Sequence, residues 1–487
     1  MDASRLSRRL AGSWGASRVP QPTQRSVYDS VSPLEFRYYG VDPDLIALLS
    51  PYVTERARLA YELKVEVAAA RVLARRGICP PEAAREIEVA AARVTAEEVA
   101  AEEARIHHNI RAMVNCLQAK VSDAARPFVH FTLTSFDVID TAIAARMKDC
   151  TQRAVVPKLL DLEATLITLA RRERDRPQIG RTHGQHAVPI TFGFALAEYV
   201  SRLGERIEAI QGAAANLRGK ISGAVGAYNA SSLLIDDPAA FEEEVLAELG
   251  LRPAWHSTQI VAPEHVTDYM HTLTSCFSVL AALADDMRHL QRTEISEVGE
   301  AFEASQVGSS TMPHKRNPWN FENVKSLYKA FMPRMVSVYL DQLSEHQRDL
   351  TNSATNRFLP ETIVGLMNAS ERLRRIMSRL VVDGEQMRAN LELTAGMCLA
   401  EPLYILLAAQ GHPDAHEAVR RLTLEAERTG RRLWDVAAES DIGPYLDRMT
   451  PAQRAVLQDP ALYQGIAALR VDAICDHYAE RLGLAGR

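Results

Sequence analysis

The stretch GSSTMPHKRNP, residues 308–318, places two serines, a threonine, a lysine, an arginine and an asparagine around a single Met-Pro step. Glycine at its start and proline within it mark a connection between regular elements rather than part of a helix. Hydroxyl groups next to cations can bind an anion, and they can also take part in moving a proton. The stretch therefore predicts a loop that carries chemistry, and the rest of the chain has to supply the scaffold for it.

Composition excludes several classes of function. The chain has 487 residues, of which 47% are hydrophobic and 24% are charged, as in a globular protein of two or three domains. Its net charge of -6 lacks the basic excess of a nucleic-acid-binding protein. No apolar run reaches the roughly 18 to 20 residues of a membrane span, and no secretory signal is evident. The six cysteines form no C-x-x-C pair, so we expect reduced thiols and a cytoplasmic protein.

Hydrophobic periodicity predicts an all-α fold. Apolar residues spaced three and four apart mark long helices in the middle third of the chain. Three stripes show this spacing: Leu159, Leu162, Leu166 and Leu169; Leu196, Tyr199, Val200, Leu203, Ile207 and Ile210; Leu273, Phe277, Leu280, Met287 and Leu290. Such helices exceed the needs of a compact monomeric bundle and favour a bundle shared between subunits. We place domain boundaries to give a helical domain at 1–128, a long-helix bundle at 129–383 and a helical domain at 384–487.

Two polar motifs lie at predicted connections. THGQH, residues 182–186, holds two histidines three apart, but it lacks the further ligands that a metal site needs. TSFD, residues 134–137, places hydroxyl groups where a helix begins, which suits a carboxylate ligand. The same sequence is also a good N-cap, and taken alone the capping interpretation is favoured.

Two further motifs lie on predicted helices. His107, His108 and Asn109 form one of them. In the other, Arg348, Ser353 and Arg357 fall within about two helical turns, where they can clamp phosphate or carboxylate or can belong to a salt-bridged surface. All four motifs together would suit a small dianionic substrate and proton transfer.

The pattern G-S-S-x-M-P-x-K-x-N, together with TSFD and THGQ in this order, resembles the fumarase/aspartase superfamily. The chain as a whole resembles the adenylosuccinate lyase branch. The supporting segments are SPLEFRYY (32–39), GKISGAVGAYNA (219–230), STQIVAPEH (257–265), QRDLTNS (347–353) and DPALYQGIA (459–467). The resemblance implies an all-helical subunit of three domains, a homotetramer, and active sites built from three subunits each. It also implies β-elimination from a succinate that carries a nitrogen substituent, which releases fumarate without a metal or other cofactor.

The resemblance assigns roles residue by residue. Ser310 would be the general base and His183 the general acid. The substrate carboxylates would be held by Thr134, Ser135, Thr182, Ser309, Met312, Lys315 and Asn317. The remaining predicted substrate-binding residues are Gln259, His108, Asn109, Arg37, Tyr38, Arg348, Ser353 and Arg357, of which Arg348, Ser353 and Arg357 match residues that bind phosphate in the family.

Two departures from the family pattern concern the substrate. Asn109 stands where the family usually has an acid, and Phe136 stands where it generally has a small or polar residue. We therefore favour a small N-substituted succinate such as nitrosuccinate, cleaved to fumarate and nitrite in bacterial specialised metabolism and antibiotic biosynthesis. The alternative is adenylosuccinate, cleaved to fumarate and AMP in purine biosynthesis. A structural paralogue without turnover, and a cycloisomerase or a lyase that acts on a carbon or oxygen substituent, are further alternatives.

Overall fold

The computed structural model describes residues 26–302, 308–312 and 314–484, and these residues form a helical protein. The helices of the first half are α1 Pro43–Val53, α2 Glu55–Arg75, α3 Pro81–Ala91, α4 Ala96–Ile106, α5 Asn109–Gln118, α6 Ser135–Cys150, α7 Val156–Arg172, α8 Phe192–Ala215, α9 Pro238–Glu248 and α10 Glu264–Leu290. The helices of the second half are α11 Trp319–Phe331, α12 Arg334–Leu340, α13 Ser353–Met377, α14 Gly384–Glu392, α15 Ala400–Ala409, α16 Ala415–Thr429, α17 Leu433–Ala438, α18 Gly443–Leu446, α19 Pro451–Gln458 and α20 Ala467–Arg481. The all-α prediction is confirmed.

Strands are few and short in the described residues. The longest pair is an antiparallel hairpin of β1 Pro177–Thr182 and β2 Gln185–Thr191. The other strands have two residues each: β3 Arg218–Gly219 pairs with β4 Arg252–Pro253, and β5 Val298–Gly299 pairs with β6 Val381–Val382. The sequence predicted only a connection at 177–189, where the structure has the hairpin.

The chain divides into two compact units. The first contains residues up to 147, together with 218–262 and 345–349. The second contains 148–217, 263–344 and the residues from 350 onward. Both units are therefore assembled from segments distant in sequence. The three-domain division along the chain stays a prediction.

The predicted apolar stripes form the core of the second unit. On α7, Leu159, Leu162 and Leu166 are completely buried, and the stripes of α8 and α10 are buried except for the partly buried Leu290. Each such side chain contributes about 1.5 to 3 kcal/mol when it leaves water. These helices are therefore long because each one buries a continuous apolar face.

Glu163 is an exception within the apolar face of α7. Its side chain is completely buried, and neither carboxyl oxygen has a hydrogen-bond partner among the residues that the structure describes. Burial raises the pKa of Glu163 to about 9, so this carboxyl stays protonated at neutral pH.

Neither membrane spans nor disulfides are found in the described residues. No helix alone has both the length and the apolar character of a membrane span, and the bent pair Gly384–Glu392 and Met397–Ala409 has both only when its two members are counted together. All six cysteines have free thiols, and five of them are buried.

Candidate active site

A buried carboxylate, Glu297, is bonded to strand β1 of the β1–β2 hairpin at two positions. It is fully buried and accepts two hydrogen bonds from the Arg181 guanidinium, at 2.6 and 3.2 Å. It accepts further bonds from the side-chain amides of Gln178 at 2.7 Å and Asn390 at 2.8 Å. A buried ion pair with every oxygen satisfied fixes geometry, whatever its net contribution to stability. Glu297 therefore holds β1 from Gln178 near its start to Arg181 beside the turn.

The tip of the hairpin presents the predicted general acid. Thr182 pairs with Gln185, so His183 and Gly184 form a two-residue loop with φ angles of 56° and 75°. Positive φ at both central residues is the signature of a type I′ turn, whose twist matches the strands. A histidine with positive φ is uncommon and is found where the surroundings enforce it. Thr182 and His183 are both exposed.

His186, on β2, lies beside Arg181 in the hairpin register. Its Nδ1 atom is buried and finds no partner among the described residues. Burial, followed by the nearby Arg181, lowers the pKa of His186, so its ring is neutral at pH 7. The sequence raised His183 and His186 as half of a metal site. No group of three potential metal ligands exists in the part of the chain that the structure describes.

The two ends of the signature loop, residues 308–318, are bonded to each other. The side-chain amide of Asn317 donates to the Gly308 carbonyl at 2.9 Å. A Cβ at Gly308 would lie 2.3 Å from the Lys315 carbonyl oxygen, so only glycine fits this approach. Within the loop, the Ser309 hydroxyl accepts from the Met312 N–H at 3.1 Å, which makes a turn. Asn317 and Ser309 thus shape the loop, whatever they also bind.

The centre of the signature loop is exposed. Ser310, Met312 and Lys315, three of its predicted site residues, face solvent in the described part of the loop. A serine hydroxyl and a lysine ammonium separated by a tight turn form a small surface that can meet an anion.

A second buried carboxylate, Glu300, supports the end of the loop. It accepts from the backbone N–H groups of Asn320 and Phe321, each at 3.0 Å, at the start of α11. It also accepts from the Asn320 side chain at 2.6 Å, while Arg372 donates to the Asn320 side-chain oxygen at 2.8 Å. Burial raises the pKa of Glu300, and the bonds from Asn320 oppose this rise. Glu297 and Glu300 thus anchor the hairpin and the loop from one short segment.

In the first unit, the TSFD motif begins α6. Thr134 and Ser135 lie at the start of the helix and are partly buried. Asp137 accepts from the Thr134 N–H at 2.9 Å, so the capping alternative is what the structure shows for Asp137. Asp137 is also fully buried and forms an ion pair with the fully buried Lys220. Within this motif, Thr134 and Ser135 are partly buried, whereas Phe136 and Asp137 are buried.

Gln259 lies on a loop that is bonded at three points to other parts of the first unit. Its N–H donates to the Gln347 carbonyl at 3.3 Å. The Val261 N–H donates to the Asp140 carboxylate at 2.9 Å, and the Ser257 and Ser222 hydroxyls are 2.7 Å apart. Gln259 itself is partly buried.

The two predicted helical motifs are not helical throughout. His107 has a φ of 58° and ends α4, and His108 is the N-cap of α5, its Nδ1 accepting from the Arg111 N–H at 3.2 Å. The prediction of one helix here was wrong, because the left-handed residue separates two helices. Asn109 is the first residue of α5 and is partly buried.

Arg348 is likewise not on a helix. It has a φ of 103°, and α13 begins only at Ser353. The spacing of about two helical turns between Arg348 and Arg357 was therefore wrong, since five residues of non-helical chain precede α13. Ser353 and Arg357, on the first turns of α13, are both exposed.

In the first unit, Arg37 and Tyr38 lie in a π-helical turn, Leu34–Tyr38, a form often found at functional sites.

His130 was not singled out from the sequence, although it is bonded to a buried carboxylate. His130, with a φ of 59°, donates its N–H to Glu66 at 2.9 Å and places Nδ1 2.7 Å from the same carboxylate. Burial alone would lower the pKa of His130, but the bond and charge of Glu66 outweigh it and the pKa is raised. Glu66 is 64 residues away, so no local pattern pointed to this pair.

The predicted site residues fall into two sets. The first unit carries Arg37, Tyr38, His108, Asn109, Thr134, Ser135, Gln259 and Arg348. The second unit carries Thr182, His183, Ser309, Ser310, Met312, Lys315, Asn317, Ser353 and Arg357. Their catalytic and binding roles stay predictions.

Comparison with known proteins identifies the class. A family model described as lyase matches residues 37–330, and one described as adenylosuccinate lyase C-terminal matches residues 344–453. Adenylosuccinate lyase of Pyrococcus abyssi is 37% identical over 85% of this chain and 90% of its own length. N-acetyl-S-(2-succino)cysteine lyase of Enterococcus italicus is 29% identical over 86% of this chain and 92% of its own length.

A solved structure agrees with these matches. The 3-carboxy-cis,cis-muconate lactonizing enzyme of Pseudomonas putida superposes with a TM-score of 0.79 at 26% identity, over 93% of this chain and all of that one. The helical fold, the signature loop and the family match define a lyase of the fumarase/aspartase superfamily, and the chain belongs to that family. Within the family, it belongs to the adenylosuccinate lyase-like branch.

Proposed function

We propose that this protein releases fumarate by β-elimination from an N-substituted succinate, and that adenylosuccinate is its substrate. The observation that carries the proposal is the signature loop. It is anchored by Glu300 at one end and closed by Asn317 on Gly308, and it leaves Ser310 and Lys315 exposed.

The chemistry explains why these residue types are needed. The proton to be removed lies beside a carboxylate and is barely acidic, so the intermediate carries an additional negative charge. Preorganised hydroxyls, the Lys315 ammonium and the N–H groups at the start of α6 would supply several kcal/mol of stabilisation to that charge. Ser310 becomes a base only where water is excluded and the surroundings are positive, which requires the exposed loop to close over the substrate.

His183 would donate a proton to the leaving group. The type I′ turn and the Glu297 anchor give it a fixed position at the hairpin tip. An aminopurine leaves poorly as an anion, so protonation by a fixed acid lowers the barrier. Nitrite is a stable anion and needs no such proton.

Substrate choice now favours adenylosuccinate over nitrosuccinate. Phe136, one of the two departures behind the nitrosuccinate preference, is buried at 7% exposure and therefore packs in the interior. The cationic and hydroxyl residues expected at a phosphate, including Arg348 and Arg357, are retained. The family model that matches residues 344–453 and the 37%-identical relative carry the adenylosuccinate lyase name. Asn109 remains the one feature in favour of nitrosuccinate.

The experiment is a set of parallel assays with the purified protein. With adenylosuccinate, loss of the succinylated purine and appearance of fumarate are followed spectrophotometrically. Nitrosuccinate and S-succinyl-N-acetylcysteine are assayed separately as alternative substrates. We expect adenylosuccinate to give the highest kcat/KM, at least 100-fold above the others. A higher kcat/KM for nitrosuccinate, with nitrite released, would contradict this substrate. Absence of turnover on all three would support a structural paralogue.

The same proposal includes a homotetramer in which three subunits contribute to each site. Exposed apolar side chains gather on α11 to α13, among them Val336, Leu340 and Phe358, each more than half exposed. Apolar surface of this kind is typical of a protein interface. Light scattering of the purified protein should give about four times the subunit mass of 53.9 kDa, and a monomeric mass would contradict the shared site.

A further inference from the structure

Asp140 is a carboxylate on α6 to which the family pattern and the proposed mechanism give no role. It lies one turn beyond Asp137 on the same helix and is partly buried. Its Oδ2 atom accepts the Val261 N–H at 2.9 Å. Asp137 is engaged elsewhere, by Lys220 and by the N–H groups of Ser222 and Gly223. The two acids therefore hold two different segments against one helix.

The segment held by Asp140 is the loop that carries Gln259. Ser257 and Val261 pair as an isolated antiparallel bridge, and Thr258 N–H donates to the Ile260 carbonyl at 3.0 Å. These bonds make Ser257–Val261 a compact turn with Gln259 at its centre. A shift at Val261 is thus passed directly to Gln259.

The surroundings of Asp140 are charged as well as buried. Burial raises its pKa to about 7, while the Val261 N–H, Lys220 and Arg348 favour its ionised form. Arg348 follows Gln347, whose carbonyl accepts the Gln259 N–H. Asp140 therefore lies where α6, the Gln259 turn and the 345–349 segment of the same unit meet.

We propose that Asp140 is a positioning residue for the lyase reaction, which fixes Gln259 for substrate binding by holding the Val261 N–H against α6. The inference rests on the proposed function, since Gln259 is assigned to the substrate there. Asp140 itself does not touch the substrate. Its removal therefore acts only through the placement of Gln259, and a displacement of about 1 Å at a binding group can cost up to about 100-fold in rate.

The test is a double-mutant cycle in adenylosuccinate cleavage. Asp140→Ala removes the acceptor, Asp140→Asn keeps an oxygen for the Val261 N–H, and Gln259→Ala removes the positioned group. We expect Asp140→Ala to lower kcat/KM about 10- to 100-fold, mainly through KM, and Asp140→Asn to stay within about threefold of the wild type. Asp140→Ala combined with Gln259→Ala should be no worse than Gln259→Ala alone, within about twofold.

Controls separate positioning from loss of folding. Asp123→Asn makes the same change at a carboxylate that is 92% exposed, and it should leave kcat/KM unchanged. If Asp140→Ala does not fold, Asp140→Glu keeps the charge but moves the acceptor by one methylene, and it should lose activity in a way that depends on Gln259.

Three results would overturn the inference. The first is a wild-type kcat/KM in Asp140→Ala, and the second is a double mutant whose loss equals the losses of the two single variants combined. The third is a kcat/KM of Asp140→Asn as low as that of Asp140→Ala. If Gln259→Ala is active but Asp140→Ala matches the wild type, only this inference fails. If the wild type itself releases no fumarate, the proposed function fails instead.

Discussion

The β1–β2 hairpin and the signature loop are anchored by two carboxylates of one short segment, Glu297 and Glu300, but they are held in opposite ways. Glu297 fixes the hairpin through Gln178 and Arg181, and a tight turn places His183 at its tip. Glu300 supports only the end of the signature loop, and Ser310 at its centre is exposed. The predicted acid is thus preorganised, while the predicted base lies on an exposed loop that we propose closes over the substrate. An elimination in which the base acts only after water is excluded needs this division.

The largest expected effect follows from removing the base. Ser310→Ala should lower kcat by at least about 1,000-fold, because Ser310 is the residue proposed to remove the proton. Thr311→Ala, one residue along the same exposed loop, is the matched control and should stay within threefold of the wild type. Steady-state fumarate release measures both. A Ser310→Ala variant with more than a tenth of wild-type kcat would place the base elsewhere.

The loss of activity on removing the predicted acid should depend on the leaving group. His183→Ala should lower adenylosuccinate cleavage about 100- to 1,000-fold, since the purine then leaves without a proton. Nitrosuccinate elimination, where the wild type supports it, should fall less than tenfold in the same variant. Equal losses on both substrates would mean that His183 acts in binding or in shape rather than as an acid.

Weakening the hairpin anchor should give a smaller effect on rate and a clear effect on stability. Glu297→Gln leaves the Arg181 guanidinium without its buried counter-charge, which typically costs about 3 to 5 kcal/mol. We expect a lower melting temperature and about a tenfold loss of kcat/KM through misplacement of His183. Differential scanning calorimetry at fixed protein concentration, combined with the assay, checks both. Unchanged activity would show that the hairpin tip keeps its place without Glu297.

The smallest expected effect on activity comes from the core. Glu163→Gln should leave kcat/KM unchanged, because α7 contributes packing here. The folded-state pKa of about 9 lies above the unfolded value, so the stability from the neutral carboxyl is complete below about pH 4.5 and is lost as pH rises towards 9. The melting temperature of Glu163→Gln should therefore exceed that of the wild type more at pH 8 than at pH 5. A constant difference between the two pH values would contradict the buried, neutral glutamate.

Local patterns were sufficient for part of this account. The apolar stripes gave the long helices, because a buried helix face repeats every three to four residues. The signature loop was found because its residues are contiguous. Both features depend only on residues that lie close together in the sequence.

Long-range pairing explains what the sequence could not give. Glu297 meets Arg181 across 116 residues and Asp137 meets Lys220 across 83, and no local signal links such partners. His107 looked helical because its neighbours are strong helix formers, yet its left-handed backbone breaks the segment. The role proposed for Asp140 likewise depends on Val261, which is 121 residues away.

The division between a fixed acid and a closing base is tested most directly by hydrogen exchange. Peptides covering 177–191 and 308–318 would be followed in Ser310→Ala, a variant expected to bind adenylosuccinate without cleaving it, with and without that substrate. We expect slow exchange at the root of the hairpin in both states, and strong new protection of the signature loop only when substrate is bound. Equal exchange of the loop in both states, or a hairpin root that becomes protected only with substrate, would contradict it.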